Sequence, residues 1–176
     1  PGYYAKRIAG KSPDHVRVYY GCQYGFVREG RPVFSEFMDS LHVARERLAP
    51  LPGVLLHIGI DFGLTPAAVF GQRLANGRWV FIDELVTEDM GVSRFADLLL
   101  ARLDERYPGY ETRITGDPAG MQRAQTDERT PFDILYAKGL DARPAESNSF
   151  TIRREAVAGA LSRIVDGKPG LLVSPE

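Results

Sequence analysis

From Val54 to Ile60 the chain carries hardly a polar side chain, then delivers one carboxylate, Asp61, and breaks into Phe62-Gly63-Leu64-Thr65-Pro66. A short apolar run bounded by turn residues predicts a buried strand over 54–61, with Gly63 free to adopt an unusual backbone angle and present the acid at the sheet edge. Ala67 to Leu74 and Arg78 to Val86 predict two more strands, and Asn76-Gly77 between them is a strong hairpin signal. The three together predict an antiparallel meander. Val92 to Tyr107 then places Phe95, Leu98, Leu99 and Leu103 at helical spacing, and Pro108-Gly109 ends that helix. Glu111 to Thr115 predicts a fourth strand, running into Gly116-Asp117-Pro118-Ala119-Gly120. A short helix over 131–138, a fifth strand over 141–144 and a long helix over 151–165 complete the order. The last helix is expected to turn Ile152, Ala156, Ala160, Leu161 and Ile164 inward, with Asn148 and Ser149 capping it.

Residues 1–50 show no long apolar period and carry turn signals at Gly10-Lys11-Ser12-Pro13 and Glu29-Gly30-Arg31-Pro32. They read as a connecting arm with short strands over 16–20 and 24–27, leading to Val33-Phe34 and Leu41-His42-Val43. Residues 51–176 read as the folded domain. At 176 residues, 44% hydrophobic and 26% charged, the chain suits an ordinary globular protein. No apolar run approaches the roughly 20 residues of a membrane span, and the start has no signal-peptide pattern, so the expected setting is intracellular.

Charge and cysteine content narrow the chemistry. Cys22 is the single cysteine, which excludes an internal disulfide or a thiolate cluster within one chain and reads as a packed position. The net charge of -1 is split: residues 1–50 hold eight Lys or Arg against five acids, and residues 51–176 hold fourteen against eighteen. The second part is therefore no basic clamp, and any nucleic-acid phosphate it handles must be neutralised largely by metal ions or other protein parts. The opening Pro-Gly-Tyr-Tyr and the closing Leu171-Leu172-Val173-Ser174-Pro175-Glu176 suggest a fragment, truncated at the C-terminus.

Two predicted strands end in an Asp beside glycine. The helix between strands three and four acts as a crossover, which lets strand four lie parallel to strand one. Asp61 and Asp117 then share the carboxyl edge of the sheet, where open α/β sheets bind ligands. Neighbouring strands lie ~4.8 Å apart. Two carboxylates ~4 Å apart repel by on the order of 4 kcal/mol at an effective dielectric of ~20, and nothing fixed in the adjoining residues offsets it. A shared proton is one remedy and a divalent cation the other. An all-oxygen pair without His or Cys suits Mg²⁺ or Mn²⁺, whose chemistry is phosphodiester hydrolysis. Asp83 and Glu84 are reserves for a further ligand, but strand three is expected two places from strand four, which assigns Glu84 a supporting role. His57 shares a face with Asp61 at about 13 Å, too far for a common ion, and reads as a satisfied buried His. His15 and His42 show no ligand spacing.

The order of these segments carries a resemblance. Three meander strands, a crossover helix and a fourth strand, with acids on strands one and four, resemble the ribonuclease H-like fold. IGIDFGLTPAAVFGQ, GDPAG followed by QTDERTPFDIL, and RREAVAGALSRIVDGKPGLLVSP resemble the C-terminal nuclease domain of tailed-phage terminase large subunits. GRPVFSEFMDSLHV, at 30–43, is similar to the arm between the ATPase and nuclease domains of that family. The resemblance covers nearly the whole chain. It implies a mixed α/β sheet flanked by helices, and an endonuclease that cuts concatemeric viral DNA during packaging with three acids and two ions of Mg²⁺ or Mn²⁺. Asp61 and Asp117 match two of those acids; the third belongs to an HDALQY-like segment that these residues do not contain. Implied partners are double-stranded DNA, the ATPase domain of the same full-length protein, the portal and the small terminase subunit, in the host cytoplasm. No GxxxxGK[ST] motif is present, so motor activity is not assigned to this chain.

Arg123 and Arg129, after Asp117, and Arg153 and Arg154, opening the last helix, are candidate DNA-phosphate contacts. A solvated basic face explains them nearly as well, and arginine at a helix start opposes the macrodipole. Two other readings stand beside the nuclease. One is a docking module of the packaging motor whose metal site is incomplete. The other takes Asp61-Phe62-Gly63-Leu64-Thr65 as the DxGxT phosphate loop of the sugar kinase and actin superfamily, which binds ATP between two such domains.

Overall fold

The computed structural model describes residues 32–63, 65–121 and 129–175. One compact unit begins at Glu36 and holds every element named below, while Pro1–Ser35 is divided off from it. The strands expected over 16–20 and 24–27, together with Cys22, His15 and Arg123, lie outside the described residues.

The meander forms as the hydrophobic pattern demands. Strands β1 (Leu56–Asp61), β2 (Ala67–Arg73) and β3 (Trp79–Val86) pair antiparallel in sequence order. The β2–β3 hairpin closes across Leu74 and Arg78 with a three-residue loop whose last member, Gly77, has φ 85°, a conformation that glycine adopts without a Cβ penalty. Helix α1 is a single turn, Asp39–His42, and Val43 after it makes a parallel bridge to Val173. Helix α2 (Val92–Arg106) carries the chain back to β4 (Thr112–Gly116), which lies parallel to β1. Pro118–Met121 makes a 3₁₀ turn. Helix α3 (Pro131–Ala137), β5 (Ala142–Pro144), helix α4 (Phe150–Ser162), the short strands β6 (Ile164–Val165) and β7 (Lys168–Pro169), and β8 (Leu171–Val173) follow. The main sheet has the order β5-β4-β1-β2-β3-β8, with β8 parallel to β3. This is the mixed ribonuclease H-like arrangement. Among the described residues no helix is long and apolar enough to cross a membrane.

The core lies on one face of this sheet. Leu56, Ile58 and Ile60 of β1, Phe70 of β2 and Phe95 and Leu99 of α2 are all at most 5% exposed. Burying each of those side chains contributes roughly 1.5–3 kcal/mol. Leu98, expected inward, is 41% exposed, and Ala96 takes its place in the core. The last helix departs further from expectation: Ala158, Ala160 and Leu161 are buried, while Ile152 and Ile164 are exposed. It stops at Ser162 because Arg163 is extended and Asp166-Gly167, both with positive φ, fold residues 164–169 into a hairpin. Ser149 holds the N-cap position, but its side chain makes no cap bond.

A β-bulge decides which way two acids point. Phe70 pairs with Asp83 and Gly71 pairs with Phe81, so Ile82 is an extra residue on β3. One inserted residue switches every later side chain to the opposite face. Asp83 therefore joins the core side, where it accepts from Arg102 Nη1 at 2.8 Å and from Arg106 Nη1 and the Tyr107 hydroxyl at 3.2 Å. Burial alone pushes the Asp83 carboxyl up, but the Arg102 hydrogen bond and the Arg102 and Arg106 charges bring it below its ordinary value. A carboxyl lowered on folding contributes stability in full above its unfolded value and loses it as pH falls through the folded one. We expect Asp83→Asn to lose on the order of 2 kcal/mol at pH 7. Its midpoint of urea unfolding is expected to fall less steeply than that of the parent below pH ~4. Parallel pH profiles for the two proteins would contradict this assignment.

Candidate metal and phosphodiester site

Asp61 is the last residue of β1 and is exposed, because the open face of the sheet carries the odd-numbered residues of that strand. β4 ends one residue short of Asp117, whose N–H donates to the Ile60 carbonyl at 3.0 Å. The parallel register, Ile60 opposite Gly116, is thus extended by one step and sets Asp117 beside Asp61 on adjacent strands. Asp117 is fixed further by its own turn: Oδ1 accepts from the Ala119 N–H at 2.8 Å, and the Gly120 N–H donates to the Asp117 carbonyl at 2.9 Å. Gly63 does not have the positive φ expected of it. The glycines that matter here are Gly116 and Gly120, which lie against the ring of Phe62.

Both acids open into a cavity of about 730 Å³ that Glu84, Thr115, Ser147 and Arg153 also line. Glu84 reaches it because of the bulge, which puts Glu84 opposite Val69, and Val69 opposite Gly59, on the open face. Two strand spacings, ~9.6 Å, separate Glu84 from β1, so it faces the aspartates across the cavity rather than adjoining them. Arg153 Nη1 stands 3.8 Å from Asp117 Oδ2. It is the countercharge that the residues adjoining the acids in sequence do not supply, brought in by α4. The Arg153 side chain is 53% exposed, so the pair is worth little in stability. Three carboxylates against one guanidinium leave the cavity negative.

Of the other candidate cations, Arg154 turns away to Glu36 at 2.8 Å, and Arg129 is exposed ahead of α3, outside the residues that line the cavity. His57 is half-buried, edge-on to Trp79 with ring centroids 4.9 Å apart. Burial, then Arg113 and Arg73, hold its imidazole below the usual value, which matches a packed neutral His. His42 is fully buried. Its Nδ1 accepts from the Met38 N–H at 2.9 Å, and its Nε2 bonds the Leu161 carbonyl at 3.0 Å. That pattern makes Nε2 the donor and His42 a tie between α1 and α4.

Two neighbouring carboxylates without nitrogen or sulfur donors are the set a hard divalent cation takes when water or phosphate fills its remaining positions. Among the described residues no three His, Cys, Asp or Glu side chains form a ready-made cage. The residues present therefore fit an open cation site and not a closed structural one.

Solved structures share this architecture. The large terminase of a thermophilic bacteriophage, solved as a longer chain, is similar with a TM-score of 0.61 and 18% identity, over 81% of this chain and 34% of that one. The large terminase nuclease of the thermophilic phage G20c, with bound magnesium, is similar at 0.56 and 17%, over 81% and 73% of the two chains. The nuclease domain of the SPP1 bacteriophage large terminase, with bound Mn, is similar at 0.53 and 18%, over 80% and 71%. This chain has the fold of large-terminase nuclease domains. It spans about a third of the longer terminase. No family model and no curated protein matches it.

The site makes a direct prediction about stability without metal. Asp61→Ala removes a repulsive, exposed acid and is expected to leave the urea midpoint in EDTA unchanged or raised. Asp117→Ala removes the acceptor of the Ala119 N–H and is expected to lose about 1 kcal/mol. Equal losses in the two variants would remove the distinction between a presented acid and one held by its own turn.

Proposed function

We propose that this chain is a metal-dependent endonuclease domain that cuts concatemeric viral DNA during genome packaging in the host cytoplasm. The observation that carries the reading is the pairing of Asp61 and Asp117 at the carboxyl edge of a terminase-nuclease fold, in one open, negatively charged cavity. The bound magnesium and Mn of the G20c and SPP1 nucleases support the choice of ion. Residues 51–176 carry the nuclease and residues 1–50 the arm toward an ATPase domain of the same full-length protein. The portal and the small terminase subunit are the remaining partners proposed for the motor.

The chemistry follows from charge. A phosphodiester entering a cavity with three carboxylates is repelled unless a cation intervenes. When bound, Mg²⁺ or Mn²⁺ supplies Lewis-acid polarisation of the phosphoryl group and neutralises the charge that develops on it. Asp61 and Asp117 would hold that cation through their carboxylate oxygens, at the ends of two parallel strands whose register sets them side by side. Arg153 stands beside Asp117 with its guanidinium free to turn toward a non-bridging phosphate oxygen, which positions the strand. Glu84 lines the same cavity from β3, across from the aspartates.

A second reading is supported by the lack of a third acid against the aspartates among the described residues: a docking module of the packaging motor that binds DNA or protein without cutting. Conversion of supercoiled plasmid to nicked and linear forms in Mn²⁺, Mg²⁺ or EDTA separates the two. We expect metal-dependent cutting that Asp61→Ala abolishes along with Mn²⁺ binding by calorimetry. Unchanged Mn²⁺ binding in that variant would sink the site assignment, and metal binding without cutting would favour the docking module. Arg153→Gln is expected to weaken duplex binding and to lower its salt slope by about one. An unaltered slope would return Arg153 to the solvated surface.

A further inference from the structure

Phe62 follows Asp61 directly, and its ring lies across the loop that carries Asp117. A Cβ built on Gly116 would come 2.5 Å from Phe62 Cε2, and one on Gly120 would come 2.7 Å from the same atom. Carbon atoms in contact prefer 3.5–4.0 Å, so a side chain at either position forces the ring or the loop to move. The ring cannot retreat freely. Phe132 stands edge-on behind it, with centroids 5.1 Å apart and planes at 76°, and would itself meet those Cβ atoms at 3.0 and 3.1 Å. Phe132 is 7% exposed on α3. That helix is fixed by a full capping box: Thr130 Oγ1 accepts from the Asp133 N–H at 3.1 Å, Asp133 Oδ2 accepts from the Thr130 N–H at 2.8 Å, and Pro131 follows the cap.

We propose that the Phe62 ring, wedged between Gly116, Gly120 and Phe132, is the positioning residue that sets the separation of the Asp61 and Asp117 carboxylates. Asp61 is tied to the ring through one peptide unit. Asp117 is tied to it through the bare glycine faces one residue before and three residues after. The backbone bond from Asp117 N–H to Ile60 fixes the height of Asp117 along the strand, and the ring fixes how far its loop lies from β1. The inference rests on the reading of the carboxylate pair as a cation site. It adds a reason for the two glycines around Asp117, at positions where backbone conformation does not call for them: neither has a positive φ.

The test reads loop order and metal affinity separately. In Phe62→Ala, hydrogen exchange at the Asp117 and Gly120 amides is expected to rise at least tenfold relative to the α2 core amides, and Mn²⁺ affinity by calorimetry to weaken by about tenfold, the lower end of outer-shell effects. Gly120→Ala alone is expected to weaken Mn²⁺ binding as well, while Phe62→Ala combined with Gly120→Ala recovers most of it, since the added methyl then occupies the vacated space. If Phe62→Ala fails to fold, Phe62→Leu and Gly120→Ala carry the same comparison. A ring that merely fills the core would lower every amide's protection together, and that result overturns the proposal. So does a loosened Asp117 loop with unchanged Mn²⁺ affinity. A parent chain that binds no Mn²⁺ refutes the cation reading instead, and the exchange ratio still decides whether the ring orders the loop.

Discussion

The parallel pairing of β1 with β4 is the constraint on which the rest depends. An antiparallel neighbour would have put the end of one strand against the start of the other and separated the two acids by the length of the sheet. Parallel pairing requires a crossover, and α2 is that crossover; its Phe95-Ala96-Leu99 face closes the core side of the sheet. Core and site thus arise from one topological choice. The same helix that buries Phe70 and Ile58 returns the chain in the direction that brings Asp117 beside Asp61. The cost is a pair of like charges on an exposed edge, and the fold answers it with Arg153 from α4 and with the openness of the cavity to water and ions.

Much of this was legible in the sequence because it depends on local chemistry. Apolar runs of strand length, a helical stripe ending at Pro108-Gly109, and an Asp at each of two strand ends predict the meander, the crossover and the acid pair without any long-range information. Arg153 was legible as a basic residue but not as the neighbour of Asp117, because the two stand 36 positions apart and only the course of α4 brings them together. The inward face of α4 was misread for a related reason. Helical periodicity identifies a stripe, but burial on this helix begins only at Ala158, so Ile152 follows the pattern and remains exposed. Asp166-Gly167 was the missed signal that the helix must stop early.

Asp83 and Glu84 show why strict alternation fails at the place where it matters. Read with period two, β3 sends Asp83 to the face of Phe81 and Glu84 to the face of Ile82. The extra residue reverses both, and nothing in Phe81-Ile82-Asp83-Glu84 announces it. The nearest cue is Gly71 on the partner strand, where a Cβ would meet Phe81 Cδ1 at 2.8 Å; a glycine inside a strand often marks a bulge or a close approach. The consequence is chemical. Asp83 is neutralised by two arginines and a tyrosine hydroxyl on the core side, while Glu84 remains exposed toward the aspartates.

The two aromatic rings beside the site follow a different logic from the aromatics of the core. Phe70 and Phe95 are fully buried and act by removing apolar area from water, an effect indifferent to a shift of a few tenths of an ångström. Phe62 and Phe132 press on bare backbone, where repulsion rises steeply with approach and a small displacement is transmitted to the loop. Rigid contact of that kind suits a pair of carboxylates whose separation governs what they can hold. Mutual repulsion alone would spread them, and an exposed loop would follow. A ring anchored to one acid and seated on the glycines around the other limits how closely they approach, through contacts that salt does not screen, and the Asp117 N–H bond to the Ile60 carbonyl opposes the spread.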